Sequence, residues 1–265
     1  MLKTRVISAC VFVPVILLAV FFGGWIFAAL ILAIAVLGGY EFGKMAEVND
    51  FTFLPWIYYP SAAVIIVLAQ LFAKTPGVVI AAVFLAFAAF MVLFILGKFE
   101  LDEIALNVTA VVYIPLTLST AVLIRSGLGD GRYLLYLLLL IEWLTDSGAY
   151  FIGSALGRHK LMPRVSPNKS VEGAVGGVAA AVLAALILNV FTGLLPYGYI
   201  IVVAVLVSVA GQLGDLCESA VKRWAGVKDS GNLIPGHGGV LDRFDSMFFA
   251  SPLLYLLVTV YAALF

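Results

Sequence analysis

Nine apolar runs follow one another along the chain, at about 6–22, 25–45, 53–73, 76–97, 105–124, 133–152, 173–194, 198–221 and 243–264, bounded by charge, Gly or Pro. Runs of this length and spacing leave few folds open. Inside a bilayer the backbone must satisfy its own hydrogen bonds, so each run predicts a membrane-crossing helix and the fold class is an all-α, polytopic integral membrane protein. Composition agrees. The 265 residues are 64% hydrophobic and 11% charged, against about half apolar and a quarter charged in soluble domains. Nine crossings of about 20 residues each leave no room for a separate soluble domain.

Lys and Arg together match Asp and Glu at 15 each. The chain therefore has no basic field to draw nucleic acid, and no nucleic-acid partner is expected. Cys10 and Cys217 stand far apart in apolar stretches, without disulfide or zinc spacing. Lys3 and Arg5 precede an apolar run, but no small-x-small cleavage pattern follows, so 6–22 reads as a first span and not as a leader. An inward amino terminus puts Lys3, Arg5, Lys44, Lys98, Arg158, Lys160, Arg164, Lys169, Lys222, Arg223, Lys228 and Arg243 on the cytoplasmic side, leaving Lys74, Arg125 and Arg132 outside. Because Lys and Arg bias orients membrane chains, this is the expected topology. The chain is expected in the cell (inner) membrane, with its site facing the cytoplasm.

Residues 1–132 carry short loops and few reactive groups, and read as transmembrane scaffold. Residues 133–265 read as the catalytic region, with two polar cytoplasmic loops at about 153–172 and 222–242. No internal repeat is visible in register. Glu142 and Asp146 lie four residues apart in the sixth run, and Asp215 and Glu218 three apart in the eighth, so each pair shares a helix face. A carboxylate at membrane depth costs about 2.5 to 3.5 kcal/mol on insertion scales, and a cation, a basic partner or a water-filled cavity has to compensate it. The eighth run also carries Ser208, Gln212, Asp215, Ser219 and Lys222 along one face. That stripe predicts a protein-lined cavity open to the cytoplasm.

The stripe leads into the most informative stretch, Ser219-Ala-Val-Lys222-Arg223, then Lys228-Asp229, then Pro235-Gly236-His237-Gly238-Gly239-Val-Leu-Asp242-Arg243-Phe-Asp245. Gly236, Gly238 and Gly239 let backbone N–H groups converge on an anion. Lys222, Arg223, Lys228 and Arg243 offer charge to phosphates. Asp242 and Asp245, with Asp215, are hard oxygen donors of the kind Mg²⁺ takes alongside substrate phosphates. The first loop adds Lys169 and Glu172 within Ser166-Pro-Asn-Lys169-Ser-Val-Glu172-Gly. The joint pattern predicts a divalent cation and a polyphosphate at a membrane surface. No P-loop and no His-Glu-x-x-His zinc motif is present.

In these residues the chain resembles the phosphatidate cytidylyltransferase family, also called CDP-diacylglycerol synthases. The family's ordered pattern is met without a gap from Ser219 to Asp245, and Asp146-Ser-Gly-Ala-Tyr-Phe151 and Ser166 to Gly173 are similar to further blocks of it. Asn168, Ser170, Val171 and Cys217 stand where Lys, Thr, Trp and Phe are common, and the amino-terminal half matches only in hydropathy profile. The resemblance implies condensation of CTP with phosphatidic acid to CDP-diacylglycerol and pyrophosphate, in phospholipid biosynthesis, by a homodimer. Its cofactor is Mg²⁺, with a second cation allowed. Asp215, Asp242 and Asp245 are then the metal candidates. Those three acids, Lys222, Arg223 and His237 form the catalytic set, with His237 the candidate for proton transfer. Ser219, Lys228, Asp229, Gly236, Gly238, Gly239 and Arg243 face substrate, with Asp146, Lys169 and Glu172 on an opposite wall. Another membrane lipid phosphotransferase, such as a CTP-dependent lipid kinase or a polyprenyl-phosphate transferase, needs similar groups. A cation-coupled transporter would use the intramembrane acids alone.

Overall fold

The computed structural model describes residues 2–236 and 238–265, with side chains at Ser8 and from Cys10 onward. The nine predicted runs coincide in place with α1 (Leu2–Phe22), α2 (Gly24–Glu47), α3 (Pro55–Leu71), α4 (Gly77–Ile95), α5 (Leu101–Val111) continued by α6 (Thr117–Gly127), α7 (Gly131–Leu156), α8 (Val171–Thr192), α9 (Tyr197–Trp224), and α10 (Leu241–Phe244) continued by α11 (Met247–Leu264). Among the described residues, seven of these stretches have the length and apolarity to cross a membrane, and Cys10–Phe22 and Pro55–Leu71 are shorter apolar helices. Phe84, Leu85 and Ile95 on α4, and Val175, Leu183, Ile187 and Phe191 on α8, are exposed. Rows of large apolar side chains on helices of this length suit lipid and not water. The chain is a multi-pass membrane protein.

Two details depart from the expected outline. The loop at 153–172 is not open chain. α7 continues to Leu156, and β1 (Lys160–Met162) pairs antiparallel with β2 (Ser166–Ser170) before α8 begins. The loop at 222–242 starts later than expected, because α9 continues through Trp224, and it ends in the short α10.

The chain groups into two compact units. The first comprises Met1–Gly129 with Trp224–Phe244, and the second Asp130–Arg223 with Asp245–Phe265. The glycine-rich loop therefore packs with the amino-terminal helices.

In the first unit, small residues on α2 admit aromatic rings. A Cβ at Gly39 would lie 2.0 Å from the Tyr58 ring. The buried Tyr58 in turn donates its hydroxyl to the Ala35 carbonyl at 2.9 Å. Asn107 on α5 accepts from Leu54 N at 2.8 Å and donates to the Thr52 carbonyl at 2.8 Å, so a buried amide ties down the start of α3. Between α5 and α6 the backbone widens into a π turn over Val112–Leu116, which contains Pro115. Proline removes an N–H from the ladder. Thr117 donates its hydroxyl to the Tyr113 carbonyl at 2.6 Å and Ser119 to the Leu116 carbonyl at 2.6 Å, which satisfies carbonyls around the widening.

In the second unit α7 and α8 meet along small residues. A Cβ at Gly148 would come within 2.7 Å of the Ala180 Cβ, and one at Gly177 within 2.7 Å of the Thr145 carbonyl oxygen. Close backbone approach of this kind replaces the hydrophobic effect, which lipid does not supply between helices. Thr145 and Ser208 share a hydrogen bond of 2.7 Å between α7 and α9. Gln212 of α9 donates to the Ala174 carbonyl of α8 at 3.2 Å, and Tyr199 of α9 donates to the Leu257 carbonyl of α11 at 2.7 Å.

Candidate active site

The polar stripe predicted on α9 faces protein within the second unit. Ser208 and Gln212 hold α7 and α8 as described, and the residues beyond them line or border a cleft of about 480 Å³ whose wall includes Asp146, Tyr150, Asn168, Lys169, Gln212 and Asp215. Lys169 reaches the cleft because β2 carries it there, and its ammonium ion-pairs with the Asp215 carboxylate. Ser219, one turn along α9, donates to the other Asp215 oxygen at 3.3 Å. One turn further on the same helix, Lys222 ion-pairs with Glu218, whose side chain is 1% exposed.

Carboxylates outnumber these ammonium groups. Asp245 stands just before α11 and within electrostatic range of Asp215, Glu218 and Asp146. Glu142 lies in range of Asp146 and Asp245, and its Oε1 is buried without a hydrogen-bond partner among the described residues. Asp245 accepts from Ser246 N at 2.7 Å. A Cβ at Gly214 would lie 2.5 Å from the Asp245 carbonyl, so α9 passes against the backbone that bears this acid. Among the described residues no three His, Cys, Asp or Glu side chains are close enough together to hold a metal ion by themselves.

The hairpin beside the cleft is pinned by Glu172. Its carboxylate accepts from Arg158 N at 3.1 Å and from His159 N, and meets His159 Nδ1 at 2.6 Å. Glu172 thus serves in holding the strand entry, while the exposed Arg223 donates its Nε–H to the Val165 carbonyl at the hairpin turn, 3.3 Å away.

The other predicted residues lie in the first unit. Gly226, Gly236 and Gly238 have φ of 69°, 79° and 85°, a backbone region that L side chains avoid. Ile234 N donates to the Gly238 carbonyl at 3.0 Å and closes the turn. Lys228, Asp229, Gly236 and Arg243 are exposed. Gly239 is buried, and its N–H is aimed at the protein's own Asp242. Asp242 Oδ2 accepts from Ser230 N at 2.9 Å, Ser230 Oγ at 3.0 Å and Gly239 N at 2.8 Å. His237, the candidate for proton transfer, lies outside the described residues.

The structure therefore brings Asp146, Lys169, Asp215, Ser219, Lys222 and Asp245 into one unit, and Lys228, Asp229, Asp242 and Arg243 into the other. Sequence reasoning missed Glu41 of α2, which accepts from Val240 N at 2.8 Å and Leu241 N at 2.9 Å. The available signal was an acid within an otherwise apolar run. It also missed Glu142 as a member of the acidic cluster around Asp245, although the four-residue spacing to Asp146 was visible.

A family model described as the cytidylyltransferase family matches residues 3–261. Among curated proteins, the phosphatidate cytidylyltransferase of Bacillus subtilis strain 168 is 44% identical over 167 residues, which covers 63% of this chain and 62% of the relative. The protein of the same name from Staphylococcus epidermidis strain RP62A is 49% identical over 128 residues, 48% of this chain and 49% of that one. A third, from Staphylococcus haemolyticus, is 40% identical over 163 residues, 61% of this chain and 62% of the relative. The chain thus spans 49% to 62% of the length of these curated relatives.

Proposed function

The chain belongs to the cytidylyltransferase family, and we propose that it transfers the cytidylyl group of CTP to phosphatidic acid, giving CDP-diacylglycerol and pyrophosphate. The observation that carries this reading is the cleft of the second unit, where Lys169 on the hairpin meets Asp215 on a membrane helix within electrostatic range of further acids. Such a cleft offers an ammonium to a phosphate and carboxylate oxygens to a hard cation.

In the proposed reaction a phosphatidate oxygen bonds to the α-phosphorus of CTP. The bond from that phosphorus to the bridging oxygen breaks, and pyrophosphate leaves with the electron pair. The chief obstacle is that two anions must meet, so positioning and charge neutralisation carry the catalysis. Lys169, Lys222 and Arg223 serve as phosphate holders in the second unit, and Lys228 and Arg243 are the exposed basic groups of the loop in the first. The second ionisation of a phosphate monoester lies near neutrality, so the attacking oxygen needs no strong base. The donor chemistry fits Mg²⁺: carboxylates and hydroxyls are hard oxygen ligands, and the buried Glu142 oxygen has its hydrogen-bonding capacity unspent. Asp215 and Asp245 are the residues of the second unit that would hold it, and Asp242 is the acid that the loop of the first unit offers to a cation; when bound, Mg²⁺ supplies positive charge to the triphosphate. Within this reading the chain works in the cell (inner) membrane with its cleft open to the cytoplasm, and as a homodimer.

The test is to incubate the purified chain in detergent with Mg²⁺, phosphatidic acid and CTP radiolabelled at the α-phosphate, then to extract the lipid. Label in the lipid, lost on chelation, is the expected result. Transfer from γ-labelled CTP instead would identify a lipid kinase and overturn the reading.

A further inference from the structure

One buried acid has no part in the chemistry proposed above. Glu41 is 1% exposed and lies six residues before the end of α2. A carboxylate there is disfavoured by its apolar surroundings. What compensates it is the loop backbone. Oε1 accepts from Val240 N at 2.8 Å, and Oε2 accepts from Leu241 N at 2.9 Å and Ser230 Oγ at 3.0 Å.

The surrounding glycines make room for this carboxylate. A Cβ at Gly231 would lie 2.6 Å from Oε1, and one at Gly239 would lie 2.5 Å from Oε2 and 2.0 Å from Ser230 Oγ. One turn before Glu41 on the same face of α2, a Cβ at Gly38 would meet the Leu241 side chain at 2.9 Å. Helix α2 thus receives the loop with a gap at Gly38 and an acceptor at Glu41.

Asp242 grips the same stretch through neighbouring amides. Gly239 N points to Asp242, while Val240 N and Leu241 N point to Glu41. Ser230 Oγ stands 3.0 Å from both carboxylates with one proton to donate. The geometry points to Glu41 as a positioning residue for Asp242: from within α2 it fixes the backbone that carries Asp242, and so sets the affinity with which the loop takes part in cation and nucleotide binding. This rests on the reading that Asp242 serves cytidylyl transfer.

The experiment uses the full chain in detergent as wild type, Glu41→Gln and Ser230→Ala. Deuterium exchange over residues 230–242 reads the loop, and the shift of the thermal unfolding midpoint by Mg²⁺ with CTP reads binding apart from turnover. In Glu41→Gln an amide N–H₂ replaces one of two oxygens, of which one faces Val240 N–H and the other Leu241 N–H and the Ser230 hydroxyl. Exchange over 230–242 should quicken while α3 and α4 keep their rate, and the Mg²⁺ concentration for half the shift should rise about tenfold, the scale for supports behind metal ligands. Ser230→Ala, which leaves the charge of Glu41 in place, should move both readouts the same way by about threefold, and decides the matter if Glu41→Gln fails to fold. A responsive wild type with variants of unchanged Mg²⁺ dependence overturns the inference alone, whatever the exchange does. A wild type that answers neither Mg²⁺ nor CTP overturns the functional reading and the inference with it.

Discussion

Both units bury carboxylates, but they surround them differently. Glu41 and Asp242 in the first unit are ringed by backbone N–H groups and the Ser230 hydroxyl. In the second unit Glu142, Asp146, Asp215, Glu218 and Asp245 stand within electrostatic range in groups, with Lys169 and Lys222 as their ammonium partners. Around Glu41, neutral donors satisfy an anion without inviting a further cation. Acids that face one another leave a negative field, and such a field is what a divalent ion or the amine of a moving side chain relieves. The arrangement at Glu41 fixes the shape of the loop that carries Asp242, whereas that of the second unit is poised for a ligand.

Substitutions can break this contrast. The largest effect is expected for Asp215→Asn, which removes the partner of Lys169 inside the cleft; lipid labelling should fall by about 10³-fold, measured on protein that still elutes as a folded species. Lys222→Met leaves Glu218 buried without its ammonium and should lower stability by about 4 kcal/mol, seen as a lower denaturant midpoint in detergent. In the first unit Gly239→Ala drives a methyl into Ser230 and Glu41 and should cost about 3 kcal/mol, with faster amide exchange confined to the loop. Glu142→Gln should act in the opposite direction, raising the stability of the cation-free protein by about 1 kcal/mol because an ionisable group is withdrawn from beside Asp146 and Asp245, while the stabilisation by added Mg²⁺ shrinks. If Glu142→Gln destabilised the cation-free protein instead, the contrast drawn between the units would fail. The smallest change belongs to His159→Ala: the ring is 79% exposed, so loss of this pair should leave the denaturant midpoint in detergent indistinguishable from that of the wild type.

The helices were legible because hydropathy adds up over some twenty residues, and helix ends fell within a few residues of the Gly, Pro and charged positions that bound the runs. The stripe Ser208, Gln212, Asp215, Ser219 and Lys222 was legible for the same reason: helical periodicity places it on one face whatever it touches. Partners distant in sequence were not. Nothing in Ser166-Pro-Asn-Lys169-Ser170 alternates in the manner of a strand, and its pairing with Lys160–Met162 comes from the turn between them. Lys169 meeting Asp215 is a contact across 46 residues. Glu41 was hidden by averaging, since one acid among apolar neighbours barely moves a hydropathy window. The glycines at 236, 238 and 239 suggested an anion nest, and the part at Gly239 encloses an anion of the protein itself.

The seam of small residues between α7 and α8 has a mechanical consequence. Helices whose backbones touch at Gly148 and Gly177 have no side-chain cushion with which to change their mutual angle. A bilayer thicker or thinner than the pair prefers is met by tilting both helices together. The hairpin joins the end of α7 to the start of α8, so it travels with them, and Lys169 with it. If a change of lipid thickness tilts the pair, that ammonium is expected to move with it.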